Sequence, residues 1–246
     1  RNKLQLVDEA AGKAGVAGLT HGLLDAGAGE LSEEQIAGRQ VDLGAHIGGA
    51  VDDDRASLNL RTLSSKAERD GALDLLHTLL SRPTFPEAVL ARERTRAIAA
   101  IQEADTRPDA IAAKRFAAAL YPGHPYGASA TVDSVSRITR DDLVAFHRRY
   151  YDARHAVVSV IGDVGRQEVE AIVNRLTDGL PAGGGDEPLP AVVLPAAEIV
   201  RLPHPAAQSH IEIGMPALRR GDPDFFALQV GNYSLGGGGF VSRLMT

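Results

Sequence analysis

Apolar positions along the chain recur either three and four residues apart or in shorter runs of period two. The first spacing lines one face of an α-helix and the second one face of a strand. Leu73, Leu76, Leu79 and Leu80 share a helical face in a segment that opens at Ser65. Arg82-Pro83-Thr84-Phe85-Pro86 ends that segment, because proline has no N–H to donate and clashes with the preceding turn. A long helix is expected from Glu87 to about Asp105, and Pro108-Asp109 starts another that ends near Leu120. Ser32 and Gln35 have the spacing of a capping box, opening a helix to about Leu43 that Gly44 terminates. Thr139-Arg140-Asp141-Asp142 caps a helix carrying Leu143, Phe146 and Tyr150, and Val164 to Leu176 forms the next. Val16 to Asp25 is expected to be a shorter helix.

Strands are expected at Leu4 to Val7, His46 to Val51 and Ala56 to Leu63, the last two joined by an Asp52-Asp53-Asp54 turn. A buried strand is expected at Ala156 to Ile161, after the Tyr150-Tyr151 pair. Gly179 to Pro195 is rich in Gly and Pro, which is linker composition. Beyond it, residues 199–202 and 209–214 read as strands, and Pro223 opens a helix that ends at Leu235. The implied organisation is a domain over 1–180, a linker over 181–198 and a further segment of strand and helix over 199–246. The implied class is α+β, with helices packed on one face of a mainly antiparallel sheet.

Composition narrows the picture. The 246 residues are 44% hydrophobic but only 4% aromatic, without Trp, so Leu, Val, Ile and Ala must build the core. A net charge of -6 argues against nucleic acid as the main partner. No run of about 18 apolar residues is present, so no membrane span is expected. The absence of Cys excludes disulfides and thiolate metal sites and leaves the compartment open. A trimmed start at Arg1 in a bacterial chain would make the periplasm the expected compartment.

The stretch Gly15-Val16-Ala17-Gly18-Leu19-Thr20-His21-Gly22 carries the informative chemistry. It resembles the catalytic helix of the pitrilysin/insulinase group of zinc peptidases, which includes the mitochondrial processing peptidase. In active members a G-x-A lead-in runs into H-x-x-E-H, two zinc-binding His and a general-base Glu. Gly15-Val16-Ala17 matches the lead-in. Gly18 and Gly22 then stand at the two ligand positions and His21 at the base position. The family's third ligand is a Glu seven residues after another Glu; Glu93-Arg94 matches the start, and Ala100 stands at the ligand position. Pro83-Thr84-Phe85, His124-Pro125-Tyr126-Gly127 and the strand after Tyr150-Tyr151 also match the family pattern. The resemblance runs from about Gly12 to Leu244. It implies a longer strand pair before the helix, and a second, similar domain that starts the arrangement again over 199–246 and continues past Thr246 to an Arg and a Tyr that grip substrate.

Glycine and alanine have no donor atom, so the resemblance implies a metal motif without its ligands and no bound zinc. Gly18 and Gly22 share a helix face, and each costs roughly 1 kcal/mol against Ala. The expectation is that the vacant site has closed into small-residue packing, with Ala100 on the facing helix.

Other candidates have competing readings. His21 and Asp25, four apart, could chelate a metal or lie on a solvated face. Asp52, Asp53 and Asp54 could attract a cation, but they lack the spaced ligands of a calcium loop and suit a polar turn. His124 has a structural reading, and His204 and His210 read as surface residues. Gly236, Gly237, Gly238 and Gly239 lack the Lys-Ser/Thr of a P-loop. In the processing peptidase's non-catalytic subunit a glycine-rich segment faces substrate, so these four are candidate substrate-binding residues; a helix cap and loop is the alternative.

The favoured expectation is a catalytically inactive homologue that pairs with an active zinc peptidase and contributes to a peptide-substrate chamber. The alternative is a structural or binding protein without a protease partner, like the family's members in respiratory complexes. An active peptidase with shifted ligands is the third reading.

Overall fold

The computed structural model describes residues 12–183, 189–219 and 221–245. The chain is a mixed helix and sheet protein. Helix α1 (Val16–Gly22) leads through a two-residue ribbon, β1 (Gly27–Ala28) with β2 (Leu31–Ser32), into α2 (Glu33–Asp42). Strands β3 (His46–Val51) and β4 (Ala56–Arg61) form an antiparallel hairpin in which His46 faces Arg61 and Val51 faces Ala56. Helices α3 (Lys66–Ser81), α4 (Glu87–Ala104), α5 (Pro108–Leu120), α6 (Val132–Ser136), α7 (Arg140–Tyr150) and α8 (Arg166–Thr177) follow, and α9 (Phe225–Asn232) lies near the end.

Local sequence explains most of these boundaries. At α2 the Gln35 N–H donates to Ser32 Oγ and the Ser32 N–H donates to Gln35 Oε1, the reciprocal bonds of a capping box. At α7 the Asp142 carboxylate accepts from the Thr139 N–H at 2.8 Å. Helix α6, which the apolar spacing does not announce, has the same device in Thr131 and Ser134. Helix α1 stops at Gly22, three residues short of the expected Asp25. Glycine weakens its last turn, and the Leu23 and Leu24 N–H groups reach carbonyls only at 3.4 Å.

Two apolar clusters form the core. One joins Val16 and Ala17 of α1, Leu23, Leu24, Phe85, Leu90 of α4, and Leu143, Phe146 and Tyr150 of α7. The other joins Ile36, Ile47, the leucines of α3 and Leu176 of α8, with Leu58 and Leu80 packed against both. Helix α8 is further fixed to α3 by Arg175 Nε donating to Asp74 at 2.8 Å.

Three expected strands do not form ladders. Residues 156–161, 199–202 and 209–214 are not strand-paired among the described residues, and Val157, Ile161, Ile211 and Ile213 are exposed. A strand is defined by its partner as much as by its own alternation, and no described segment pairs with these. The expected strand at Leu4 to Val7 lies outside the described residues. No helix among the described residues is long and apolar enough to cross a membrane.

Candidate functional site

Helix α1 presents the positions that the family resemblance singles out. Gly15, at its N-cap, has φ of 107° and packs so closely that a Cβ there would lie 3.0 Å from Val135. Only glycine meets both conditions comfortably. Gly18 and Gly22 differ. A Cβ at either would meet nothing within 4 Å. Among the described residues the expected closure into small-residue packing is therefore not found. No helix among the described residues seals against these glycines. A cleft of about 210 Å³ opens beside Gly18, between Ala14, Ala17, the Val51–Asp53 turn of the hairpin and Ala128 to Ala130. Ala100 is exposed on α4, whose Ala97, Ile98 and Ile101 face the first core cluster.

His21 is already engaged. Its Nδ1 lies 3.2 Å from the Tyr151 hydroxyl, and its Nε2 sits over Gly49 of β3, where a Cβ would approach to 2.8 Å. Burial lowers the His21 pKa, and the charge of Asp25 opposes the shift. Asp25 lies beyond the end of α1, so the expected pairing on one helical face is not formed. Its side chain reaches solvent, yet partial desolvation raises its pKa and the neighbouring Glu33 and Glu93 add to the effect.

A metal fits these positions poorly. Zinc sites take about three protein donors and leave one position for water. The four positions 18, 21, 22 and 100 supply one donor side chain, His21, and it is held by Tyr151. Among the described residues no group of three or more His, Cys, Asp or Glu could hold a metal ion.

The remaining candidates are structural in their contacts. Asp52 accepts from the Asp54 and Arg55 N–H groups, each at 2.9 Å, and its pKa is lowered by those bonds and the Arg55 guanidinium. Asp54 accepts from the Tyr126 hydroxyl at 2.5 Å, tying the 125–127 turn to the hairpin. Burial first, and that acidic partner second, push Tyr126 up to about 12. His124 is buried, accepts from the Tyr126 N–H and lies 3.2 Å from the Pro190 carbonyl. His204 lies 3.2 Å from the Thr106 carbonyl, and His210 is exposed. Gly236 to Gly239 form a tight turn after α9, where the Gly238 N–H donates to the Tyr233 carbonyl at 2.8 Å. Helix α9 runs directly into this turn, and all of it but Phe225 is exposed.

Sequence reading missed Thr20 and Tyr151. Thr20 is fully buried in α1, and its hydroxyl has no partner among the described residues. A buried hydroxyl without a hydrogen bond costs about 1–3 kcal/mol. Thr20→Val keeps the shape and removes that group. It is expected to raise the unfolding free energy by about 1 kcal/mol, measured by urea denaturation. A loss of stability would show that the hydroxyl is bonded in solution.

Comparison with known proteins agrees with this architecture. Residues 137–246 match the family model of the peptidase M16 inactive domain. Positions 18, 21 and 22 of α1 lie outside that match. The crystal structure of a peptidase M16 inactive domain from Pseudomonas fluorescens superimposes with a TM-score of 0.83 at 33% identity, covering 95% of this chain and 57% of that one. An uncharacterized zinc protease of Streptomyces coelicolor is 27% identical over 184 residues, 70% of this chain and 39% of that protein. The mitochondrial-processing peptidase subunit beta of Rattus norvegicus is 24% identical over 199 residues, 79% of this chain and 40% of that protein. The chain thus spans well under two thirds of each protein's own length.

Proposed function

We propose that this relative of the M16, pitrilysin/insulinase-type peptidases is a non-catalytic subunit, paired with an active zinc-peptidase homologue and forming part of its peptide-substrate chamber. One observation carries the reading. The helix with the family's lead-in packs against the core, while its two ligand positions hold Gly18, which opens onto a cleft, and Gly22, which is exposed. Peptide cleavage on a metal needs a Lewis acid and an activated water, and this donor set supplies neither. The cleft keeps room where a metal centre is lost, which suits holding a chain more than cutting it. A processing-peptidase relative named as a subunit supports the idea of a partner. In the same reading the sheet is mainly antiparallel with helices on one face, and residues 199–246 begin a second similar unit. Gly236 to Gly239 then face the substrate.

The test is co-purification of the chain with a candidate H-x-x-E-H homologue, followed by peptidase assays of each alone and of the pair. The chain alone is expected to cleave nothing, and the pair to turn over peptide faster than the homologue alone. Cleavage by the chain alone would overturn the reading. A pair no faster than the homologue would favour a structural protein without a protease partner.

The glycine turn gives a second check. Gly238→Pro removes the N–H that bonds Tyr233, although the φ of -78° suits proline. It is expected to leave the α1–α8 unit folded by circular dichroism and to lower turnover by the pair several-fold. Unchanged turnover would reduce the turn to a connection.

A further inference from the structure

A column of three rings runs through the contact between α1 and α7. The Tyr151 hydroxyl lies 3.2 Å from His21 Nδ1. The Tyr151 ring stacks on the His147 ring, with centroids 5.0 Å apart and planes at 20°. His147 Nε2 lies 2.8 Å from the Leu80 carbonyl at the end of α3, and the ring meets Phe85 edge-on. Tyr151 and His147 are buried, and His21 is half-buried against Gly49.

We propose that this column is an acid-sensitive latch: with neutral imidazoles it holds α1 against α7 and β3, and protonation releases α1 and with it one wall of the cleft. The inference does not depend on a protease partner. A carbonyl only accepts, so His147 carries its proton on Nε2 and has a bare Nδ1. Protonating it puts a cation with a second donor between Tyr151 and Phe85. At His21 the hydroxyl can give or take. Once the ring is doubly protonated it only donates, so the Tyr151 hydroxyl must turn and accept. Its own proton then has no acceptor among the described residues, in a place that excludes most water.

The surrounding charges do little to offset this. The segment after α1 brings Asp25 toward His21, and α7 brings Arg148, which disfavours a charged His147. Strand β3 presents Gly49, α3 presents the Leu80 carbonyl, and Glu93 of α4 and Glu33 act on Asp25. Burial is the largest influence on both histidines and lowers the pKa of each. The unfolded or opened chain therefore takes up protons first. Stability is level above about pH 6.5 and falls as pH drops below it, until the folded histidines are themselves protonated. Each proton gained on opening shifts the equilibrium about tenfold per pH unit, so two give up to about a hundredfold.

Helix α1 is the element suited to open. It has seven residues and no side-chain cap, whereas α7 is capped by Thr139 and Asp142. Lys13 Nζ, 2.5 Å from Asp142 Oδ1, tethers its start to α7, so release leaves it attached at one end.

The test is amide hydrogen exchange of the whole chain at pH 7.5 and 5.5, corrected for intrinsic rates, together with an NMR titration of the histidine rings. Protection over 16–22 is expected to fall at least tenfold at pH 5.5 while α3 and α8 keep theirs, with His21 and His147 titrating below 6.5. Unchanged protection over 16–22, or titration of both rings at or above 6.5, would overturn the proposal. His147→Gln keeps a donor for the Leu80 carbonyl and cannot charge. It should recover only His147's share of the protection lost at pH 5.5, because His21 can still charge, and equal acid loosening in that variant would overturn the latch. If the variant fails to fold, the wild-type titration and exchange decide.

Discussion

Phe85→Ala is expected to lower the unfolding free energy by about 3–5 kcal/mol, the range for truncating a buried aromatic side chain. Phe85 is 1% exposed in the first core cluster, between the turn before α4 and the His147 ring. Its backbone is also unusual, with φ of 47° in a residue that has a Cβ. That conformation costs a non-glycine residue roughly 1–2 kcal/mol. It persists because its surroundings fix it: Arg140 Nε donates to the Thr84 and Phe85 carbonyls, and the Thr84 N–H donates to the Gly27 carbonyl. Alanine loses the ring and keeps the strain, whereas glycine loses the ring and relieves it. Phe85→Gly should thus be the milder substitution by about 1 kcal/mol despite being the smaller residue. Urea denaturation of the three proteins measures both differences. A loss below about 1 kcal/mol in Phe85→Ala would mean that the ring is not held in the core. A glycine variant weaker than the alanine variant would mean that the backbone is unstrained.

The second large effect concerns positions 18, 21, 22 and 100, which the family resemblance aligns with a zinc motif. Gly18→His, His21→Glu, Gly22→His and Ala100→Glu together restore the family's ligand set. Positions 18 and 22 lie one turn apart on α1, the geometry two zinc-binding histidines require. The open space at both means that the new side chains need not displace core atoms. Without metal the variant should be slightly less stable than wild type. Removing two helical glycines gains roughly 1 kcal/mol in total, but Glu at 21 gives up the bond to Tyr151 and faces Asp25. Zinc at about a hundred times its dissociation constant adds about 2.7 kcal/mol. In a chain of this size that raises Tm by about 5–10 °C. Melting curves with and without zinc, with Ala100→Glu as control, read the effect. A folded quadruple variant without a zinc-dependent shift would mean that the four positions do not converge.

How much of this was legible in the sequence depended on how local each signal is. The Ser32–Gln35 and Thr139–Asp142 caps and the leucines of α3 lie within single elements, and the structure has those helices where the pattern puts them. The β3–β4 hairpin was legible because its turn and both strands are contiguous. Residues 156–161 have the composition of a buried strand, yet pairing is a property of two segments and one segment cannot reveal it. Phe85 carries no sign of its left-handed backbone, which is imposed by Arg140 from 55 residues away. Positions 18 and 22 were visible as part of a motif, but glycine reads the same whether a neighbour packs on it or solvent does. That is why closure was expected and an open cleft was found. His21 and Tyr151 lie 130 residues apart in the chain, and only the packing of α1 on α7 brings them together.

The central claim is that the α1 site has lost its metal, and zinc content tests it most directly. The measurement is elemental analysis of the wild-type chain purified without chelator and dialysed against zinc-free buffer. The donor-poor set at Gly18, His21, Gly22 and Ala100 predicts no stoichiometric zinc. About one tightly held zinc per chain would contradict the account.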